Sequence, residues 1–427
     1  MDSALRYADD HQDRFVGELK ELLRIPSIST DPEYADDVQQ AAHWLASHLR
    51  SIGLQTAEVH DTDGHPIVYA EHVVDEAAPT VLVYGHYDVQ PPDPLELWDS
   101  PPFEPIRQNG DGSEENIYAR GACDDKGQMF MHVKAAESYL SEEGELPVNL
   151  KFVIEGEEES GSVHLAPFIE EHQDSLDADV VLISDTGMFA EGVPSITYGL
   201  RGLAYVEGTL TGPSRDLHSG LFGGAVENPA NALARLIAGL HDERHRDLKQ
   251  AKTEEGYGVL EAIGARPTLD VNGITGGYQG EGAKTVLPSK ASAKISCRLV
   301  PDQRPGDIAD QLEAYFEEHT PPTMHLQFER LHGGQPALID TESPAMQSAA
   351  DAMEAVYGRR PFFTREGGTI PVVADFKEIL GLDTVLMGFG LESDAIHSPN
   401  EHFGLGRFRE GIQSIIRFHQ RYAEREQ

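Results

Sequence analysis

The chain has 427 residues, of which 39% are hydrophobic, so it is long enough for two or three domains with sizeable cores. This composition excludes a disordered tail protein and a small disulfide-stapled scaffold. The 33 basic and 73 acidic side chains give a formal net charge of −40. Such a charge repels phosphate backbones and anionic membrane surfaces, so we expect no nucleic-acid partner and no membrane partner.

The charged residues also indicate a salt-adapted, halophilic protein. The basic residues are 10 lysines and 23 arginines, beside the large acidic excess. Counterions in a saline cytosol would screen the self-repulsion of this chain, whereas an ordinary acidic cytosolic protein is the alternative. The halophilic interpretation predicts that the melting temperature rises with added KCl or NaCl. A flat or falling response would leave the acidic excess unexplained.

The cysteines and the apolar pattern bear on the cellular compartment. Cys123 and Cys297 are the cysteines of the sequence, too few and too far apart for a disulfide framework or a cysteine-based zinc cluster. The first residues, MDSALRYADDHQDRF, lack a basic-then-apolar signal, and no run of about 18 uncharged apolar residues occurs. We therefore expect a cytoplasmic protein.

In chain order, two helices are followed by alternating strands and helices. Apolar spacing predicts helices over residues 3–24 and about 34–52. The later strand runs are Thr80–Tyr84, Asn149–Ile154, Val180–Ser184 and Thr384–Met387, and helical stretches include Gln128–Tyr139 and Ser343–Tyr357. This alternation predicts an α/β fold with a mostly parallel sheet covered on both faces.

The middle of the chain has a different pattern. Amphipathic strand segments alternate there with helical stretches at Asn228–Leu240 and Pro305–His319. The order strand, helix, strand, strand, helix, strand predicts a small α+β insert with one sheet face covered. We therefore predict a discontinuous main domain, residues 1–198 and 334–427, interrupted by an inserted domain at 199–333.

Side chains that bind metals follow the ends of several predicted strands. These are His86 and Asp88, then Glu157, Glu158 and Glu159, then Asp185, and finally His397, with Asp124 in the turn RGACDDKG as a further candidate. Each alone has a structural explanation, such as a hydrogen-bonded histidine or an acidic helix cap. The carboxyl ends of strands in an open α/β sheet converge, however. Histidines and carboxylates without cysteine describe a site for zinc, manganese or cobalt.

The ordered motifs resemble a known family, the di-metal exopeptidases that include carnosinase-like cytosolic dipeptidases, carboxypeptidase G, aminoacylase and succinyl-diaminopimelate desuccinylase. The motifs are GHYDVQP, RGACDDKGQ, EGEEESGS, SDTG, DLHSGLFGG, GAKTVLP, REGGTIP and AIHSPNE. The resemblance implies that His86 and Asp185 bind one metal, that Glu159 and His397 bind a second, and that Asp124 bridges them. It also implies a cis peptide bond between Asp124 and Asp125.

The resemblance further implies how such a site hydrolyses an amide. Two divalent ions per subunit, with zinc as first choice and manganese or cobalt as alternatives, depress the pKa of a shared water toward about 7. Glu158 is the implied general base, which takes the proton of that water and delivers it to the leaving amine. Asp88 is the implied residue that orients His86.

Other implied site residues lie in the insert or near the end of the chain. His218 in DLHSG resembles a histidine that stabilises the oxyanion across a dimer interface, which implies a homodimer formed through a lid or dimerisation domain. Thr285 and Arg298 resemble contacts to the oxyanion region and to the C-terminal carboxylate of the substrate, although a strand-end salt bridge is an equal alternative for Arg298. Gly367, Gly368 and Thr369 resemble a turn that lines the substrate.

The predicted function is a metal-dependent dipeptidase that acts on short peptides with a free C-terminal carboxylate. Dipeptidases of the family carry aspartate at the position of Asp185, whereas most relatives that remove acyl groups carry glutamate. The alternative on the same scaffold is an N-acyl-amino-acid deacylase. A non-catalytic binding protein would lack the base or a ligand, yet Glu158 and the ligand candidates are present. The sequence contains no GxSxG motif, so a serine hydrolase is disfavoured.

Overall fold

The computed structural model describes residues 1–110, 115–241 and 257–426. Contacts between Cα atoms divide the chain into two compact units. The first unit comprises Met1–Tyr198, Ile339–Thr364 and Asp375–Gln427, and the second comprises Gly199–Leu338 and Arg365–Ala374. The domain limits inferred from the sequence, at 198/199 and 333/334, remain a prediction.

The secondary structure alternates strands and helices along much of the chain. The helices are α1 (Asp2–Asp10), α2 (Gln12–Leu23), α3 (Ala35–Ser51), α4 (Lys126–Glu142), α5 (Leu165–Glu171), α6 (Ser219–Phe222), α7 (Pro229–Leu240), α8 (Val259–Ala265), α9 (Pro305–His319), α10 (Pro344–Tyr357), α11 (Pro371–Asp375) and α12 (Leu405–Arg425). The strands are β1 (Thr56–His60), β2 (Ile67–His72), β3 (Thr80–His86), β4 (Ile106–Asn109), β5 (Glu115–Tyr118), β6 (Asn149–Glu155), β7 (Val180–Ile183), β8 (Ser195–Leu200), β9 (Gly202–Thr211), β10 (Leu217–His218), β11 (Thr268–Gly276), β12 (Val286–Leu287), β13 (Lys290–Leu299), β14 (His325–Gly334), β15 (Ala337–Leu338), β16 (Phe362–Glu366), β17 (Thr384–Leu386) and β18 (His402–Gly404).

The first unit is built on a mixed sheet with the strand order β1-β2-β6-β3-β7-β17-β8. The four central strands, β6, β3, β7 and β17, pair in parallel. The outer pairings, β1 with β2, β2 with β6 and β17 with β8, are antiparallel. The predicted α/β class is therefore confirmed, and the parallel arrangement holds for the centre of the sheet.

The burial of consecutive strand residues explains why these runs are continuously apolar. Residues 81–86 of β3 and all residues of β7 are buried, and neighbouring strand residues point to opposite faces. Both faces of the central strands are therefore covered, as predicted. The predicted helix at 3–24 is wrong in one respect, because it is divided at His11, whose side chain also bonds the carbonyl oxygen of Tyr7.

The second unit contains an antiparallel sheet of order β11-β13-β9-β14. Burial alternates along β9 and along most of β13, so one face of the sheet is covered. Helices α7 and α9 supply the cover, and Leu233, Leu236, Leu312 and Phe316 join the sheet residues in one apolar core. The main elements of this unit follow the predicted order as β9, α7, β11, β13, α9 and β14, whereas the short elements β10, α6, α8 and β12 between them were not predicted. Among the described helices, none combines the length and the apolar character needed to cross a membrane.

Candidate metal centre

Neighbouring central strands bring three of the predicted ligands to one end of the sheet. His86 is the last residue of β3, which lies between β6 and β7. Glu159 belongs to the short 3-10 turn Glu158–Ser160 that follows β6, and Asp185 lies two residues beyond β7. Because these strands are parallel, their carboxyl ends meet at the same edge.

Asp124 enters the same region from the turn before α4. It is 9% exposed, and α4 begins two residues later at Lys126. The peptide bond between Asp124 and Asp125 is cis, so this implication of the resemblance is confirmed. The side chain of Asp125 accepts a hydrogen bond from the backbone N–H of His86 at 3.2 Å, which ties the turn to the end of β3.

Two groups of three potential ligands share Asp124. In the first, Nε2 of His86 lies 3.1 Å from Oδ1 of Asp124 and 3.9 Å from Oδ2 of Asp185. In the second, Nε2 of His397 lies 2.8 Å from Oδ2 of Asp124 and 3.1 Å from Oε2 of Glu159. The structure therefore brings all five predicted ligands together.

The two carboxylate oxygens of Asp124 face different groups, as a bridging ligand requires. Tetrahedral zinc with nitrogen and oxygen ligands at about 2.0–2.1 Å separates those ligand atoms by roughly 3.3 Å. The distances from 2.8 to 3.9 Å within the two groups bracket this value. The donor set thus fits two divalent ions, and the role of each residue as a ligand remains a prediction.

The side chain of Asp88 is placed to orient His86. Its Oδ1 lies 3.3 Å from Nδ1 of His86, and the backbone carbonyl oxygen of Asp88 lies within hydrogen-bond distance of the same nitrogen at 3.2 Å. Nε2 is therefore the ring nitrogen left to face Asp124. Its Oδ2 accepts hydrogen bonds from the hydroxyl of Ser29 at 2.6 Å and from the backbone N–H of Glu159 at 3.1 Å. Asp88 therefore contacts both groups, His86 through its backbone carbonyl oxygen and its nearby carboxylate, and Glu159 through its carboxylate, as residues that orient the ligands do at metal sites.

Ion pairing dominates the electrostatics of the two histidines. Burial opposes the charged form of His86, but hydrogen bonds to Asp124 and Asp88 outweigh it and raise its pKa well above the usual range. Hydrogen bonds to Asp124 and Glu159 raise the pKa of His397 to about 10. Although burial opposes the charged form of Asp124, hydrogen bonds from His397 and His86 hold its pKa below the ordinary value.

Metal binding is therefore expected to displace protons from the two rings. With its pKa raised to about 10, His397 is expected to be protonated at neutral pH in the metal-free protein, and only neutral imidazole can bind a cation. The affinity of the metal-stripped protein for zinc should rise as the pH rises toward that value. Zinc titration calorimetry at neutral pH, in buffers of different ionisation enthalpy, should show protons released to the buffer. A heat that is independent of the buffer would contradict the ion-paired histidines.

Glu158 begins the 3-10 turn that contains Glu159, and it interacts electrostatically with members of both groups. Burial raises its pKa to about 9; the charge of His86 opposes this, and the carboxylates of Asp185, Glu159 and Asp124 add to it. Bound cations would act in the opposite direction and favour the carboxylate. A carboxyl group of this kind can exchange a proton near neutral pH, as a general base must.

Three contacting residues were not predicted from the sequence. Gln90 donates to Oε2 of Glu159 at 2.8 Å. Glu401 accepts hydrogen bonds from the backbone N–H groups of Gly121, Cys123 and Asp124 at 3.0–3.1 Å. Arg120, itself 1% exposed, pairs with Glu401 at 2.7 Å. All three residues lie inside motifs quoted above, namely GHYDVQP, RGACDDKGQ and AIHSPNE, and these motifs were the signal available in the sequence.

A further cluster with ligand-type residues does not have the character of a metal site. Glu18, His48 and Glu137 lie close together. The buried ammonium of Lys134 occupies their centre, 2.7 Å from His48 and 2.7 Å from Glu137, and also pairs with Glu18. A resident cation already balances these carboxylates, so the cluster is structural.

In the second unit, the predicted residues His218 and Thr285 lie next to each other. Nε2 of His218 is 3.4 Å from the hydroxyl of Thr285. Nδ1 of His218 accepts a hydrogen bond from the backbone N–H of Gly220 at 3.0 Å, so a neutral ring carries its proton on Nε2. His218 is exposed, and it presents an N–H donor of the kind that stabilises an oxyanion.

The remaining predicted contacts form a second group in this unit. Nη1 of Arg298 donates to the hydroxyl of Thr369 at 2.9 Å. Gly367 sits in a tight space, because a Cβ there would lie 2.6 Å from the carbonyl oxygen of Ile263, whereas Gly368 is exposed with open space around it. No salt bridge of Arg298 occurs among the described residues, which argues against the strand-end alternative.

Comparison with known proteins identifies the family. A model described as peptidase family M20/M25/M40 matches residues 82–421. The chain belongs to this family. The resemblance to di-metal exopeptidases is thereby confirmed.

Relatives of this M20 chain cover it almost completely. The Cys-Gly metallodipeptidase dug1 of Schizosaccharomyces pombe is 32% identical over 97% of the chain and 96% of its own length. The human Beta-Ala-His dipeptidase is 29% identical over 98% of the chain and 92% of its own length. Among solved structures, the M20 metallo-carboxypeptidase Sso-CP2 from Sulfolobus solfataricus has a TM-score of 0.83 at 31% identity, covering 96% of the chain and 99% of its own.

Proposed function

We propose that the chain is a metal-dependent dipeptidase that hydrolyses short peptides with a free C-terminal carboxylate. The observation that carries this proposal is the carboxylate of Asp124, which is shared by two groups of potential metal ligands that interact electrostatically with Glu158. Membership of the peptidase family supports a metallopeptidase. The names of the two dipeptidase relatives support small peptides as substrates.

Two divalent ions fit the donor set, with zinc as our first choice and manganese or cobalt as alternatives. His86, Asp124 and Asp185 would hold one ion, and Asp124, Glu159 and His397 the other. When bound, the ions supply a water of lowered pKa and polarise the scissile carbonyl group. The carboxylates of Asp124, Glu159 and Asp185 offset much of the added positive charge.

The residues of the chain perform the proton transfers. Glu158 accepts the proton of the attacking water and delivers it to the amine that leaves. Asp88 holds His86 through Nδ1, so that Nε2 stays directed at Asp124. The N–H of His218 donates to the oxyanion that develops on the attacked carbonyl group.

The deacylase alternative differs from the dipeptidase proposal in the acyl group of the scissile amide, which would be an acetyl or succinyl group in place of an amino acid. No finding favours it, whereas the relatives named above are dipeptidases. A panel of dipeptides assayed beside N-acetyl and N-succinyl amino acids separates the two, with enzyme reconstituted in turn with zinc, manganese and cobalt. Preferential hydrolysis of the acylated compounds would defeat the dipeptidase proposal.

We also propose a homodimer in which His218 acts on the neighbouring subunit's substrate. Neither His218→Ala nor Glu158→Gln should be active alone, because each removes one required group. A hybrid dimer would contain one complete site, so random mixing should restore about a quarter of the wild-type activity. No recovery after demonstrated subunit exchange would mean that His218 acts within its own chain. The cytoplasmic location and the adaptation to salt remain proposals that rest on the amino-acid sequence alone.

A further inference from the structure

The second unit contains two neighbouring guanidinium groups that form no direct salt bridge with any described carboxylate. Arg201 is 9% exposed, and its Nε and Nη1 donate to the carbonyl oxygens of Gly367 at 3.2 Å and Arg266 at 3.1 Å. Arg298 is half-buried and donates to the hydroxyl of Thr369. Among the described residues neither arginine forms a salt bridge, although the chain carries 73 acidic residues.

A bound anion in direct contact with the guanidinium groups would stabilise this arrangement. Buried charges are normally paired, because removal from water penalises the charged form. Burial and the charge of Arg298 lower the pKa of Arg201, and burial lowers that of Arg298. The negative charge of Asp270 opposes the shift at both arginines. Two cations therefore lie near each other with neutral hydrogen-bond partners, and Asp270 attracts both without a salt bridge to either among the described residues.

The hydroxyl of Thr369 connects the two arginines. It donates to the backbone carbonyl oxygen of Arg201 at 2.6 Å, which leaves its oxygen to accept the N–H of Arg298 at 2.9 Å. The direction of the Arg298 guanidinium is thus set through Thr369. The remaining N–H groups of Arg298 stay available for a planar carboxylate.

The side chain of Arg201 also supports the turn that contains Thr369. A Cβ on Gly367 would lie 2.7 Å from Nη2 of Arg201, so the guanidinium packs directly against this glycine. Its hydrogen bond to the carbonyl oxygen of Gly367 fixes the same residue. Arg201 therefore holds the turn Gly367–Thr369 at both ends, through its side chain and through its backbone.

We propose that Arg201 is a positioning residue for a carboxylate-binding site formed with Arg298 and Thr369, and that its charge selects substrates with a free C-terminal carboxylate. The proposal deepens the proposed function and rests on it. A neutral C-terminal amide lacks the charge that the two guanidinium groups would complement. Discrimination between carboxylate and amide is therefore the property that Arg201 controls.

The test compares Arg201→Met and Arg201→Lys with wild type on the best dipeptide of the panel and on its C-terminal amide. Loss of the charge should raise the KM for the dipeptide about ten- to a hundredfold, the range of a hydrogen bond to a charged group, while kcat changes little. The kcat/KM for the amide should stay near the wild-type value. Arg201→Lys keeps the charge without the planar fork, so its effect on the dipeptide should be intermediate.

The matched control is Arg330→Gln, which removes one positive charge at an exposed pair with Asp310 and Glu313. This substitution should leave kcat and KM unchanged for both the dipeptide and its amide. Equal losses on dipeptide and amide in the Arg201 variants, or losses confined to kcat, would overturn the proposal and leave a structural support for the turn. If Arg201→Met does not fold, the KM ratio of Arg201→Lys decides the question.

Failure of the proposed function gives a different result. If wild type hydrolyses N-acyl amino acids in place of dipeptides, the dipeptidase proposal fails, and the acyl amino acid and its amide replace the two substrates above. The role of Arg201 is then still decided by the carboxylate-to-amide ratio. If the wild-type enzyme hydrolyses the free carboxylate and the amide of the substrate equally well, the proposed role of Arg201 is overturned directly.

Discussion

Glu158→Gln is expected to lower kcat by about 10²–10⁴-fold, the usual contribution of a general base, with little change in metal content. The substitution keeps the size of the side chain and removes its ability to accept a proton. Glu158 belongs to neither group of predicted ligands, so the ions should remain bound. Steady-state kinetics combined with metal analysis of the purified variant measures both effects.

The control for this substitution is Glu170→Gln on the exposed side of α5, which should match wild type in both measurements. Equal turnover of Glu158→Gln and wild type would remove the mechanism and revive the non-catalytic alternative. Loss of metal together with activity would instead make Glu158 a ligand.

Asp124→Asn is expected to lower the binding of both metal ions at once. Asp124 is the one residue common to both groups of potential ligands among the described residues, and an amide lacks the negative charge that offsets two cations. The activity should fall at least as far as that of Glu158→Gln, and dialysed protein should retain well under two metal ions per chain. Metal analysis after dialysis, followed by activity measured with excess zinc, checks this result.

Asp174→Asn removes the same charge at an exposed position of the first unit and should retain both ions. The opposite outcome for Asp124→Asn, a full complement of metal after dialysis, would show that it does not bridge. Loss of only one metal ion would show that Asp124 is a ligand in only one of the two groups.

The sequence could predict that the candidate metal ligands meet at one edge of the sheet, because parallel neighbouring strands have their carboxyl ends at the same edge. Buried runs such as Thr80–His86 and Val180–Ile183 are too apolar for an edge position, which indicates parallel central strands. Once their carboxyl ends meet, His86 and Asp185 are neighbours whatever the length of the chain between them. The positions of Asp124 and His397 needed the motifs, because both lie in loops whose path no periodicity predicts.

The supporting contacts could not be predicted in this way. Arg120 and Glu401 lie 281 residues apart and are both almost completely buried, although charged residues are usually exposed. Their pairing depends on the packing of two loops, which residue spacing does not encode. The contacts of Arg201 could not be predicted either. Its side chain donates to the backbone carbonyl oxygens of Gly367 and Arg266, and every residue has such a group.

Glu401 ties the order of biosynthesis to the assembly of the site. Its carboxylate accepts the backbone N–H groups of Cys123 and Asp124, yet it is made 277 residues after Asp124. A nascent polypeptide still on the ribosome lacks this clamp while most of the ion-binding side chains have already emerged. The turn that carries Asp124 therefore gains its carboxylate clamp only after residue 401 has been synthesised and has packed against it.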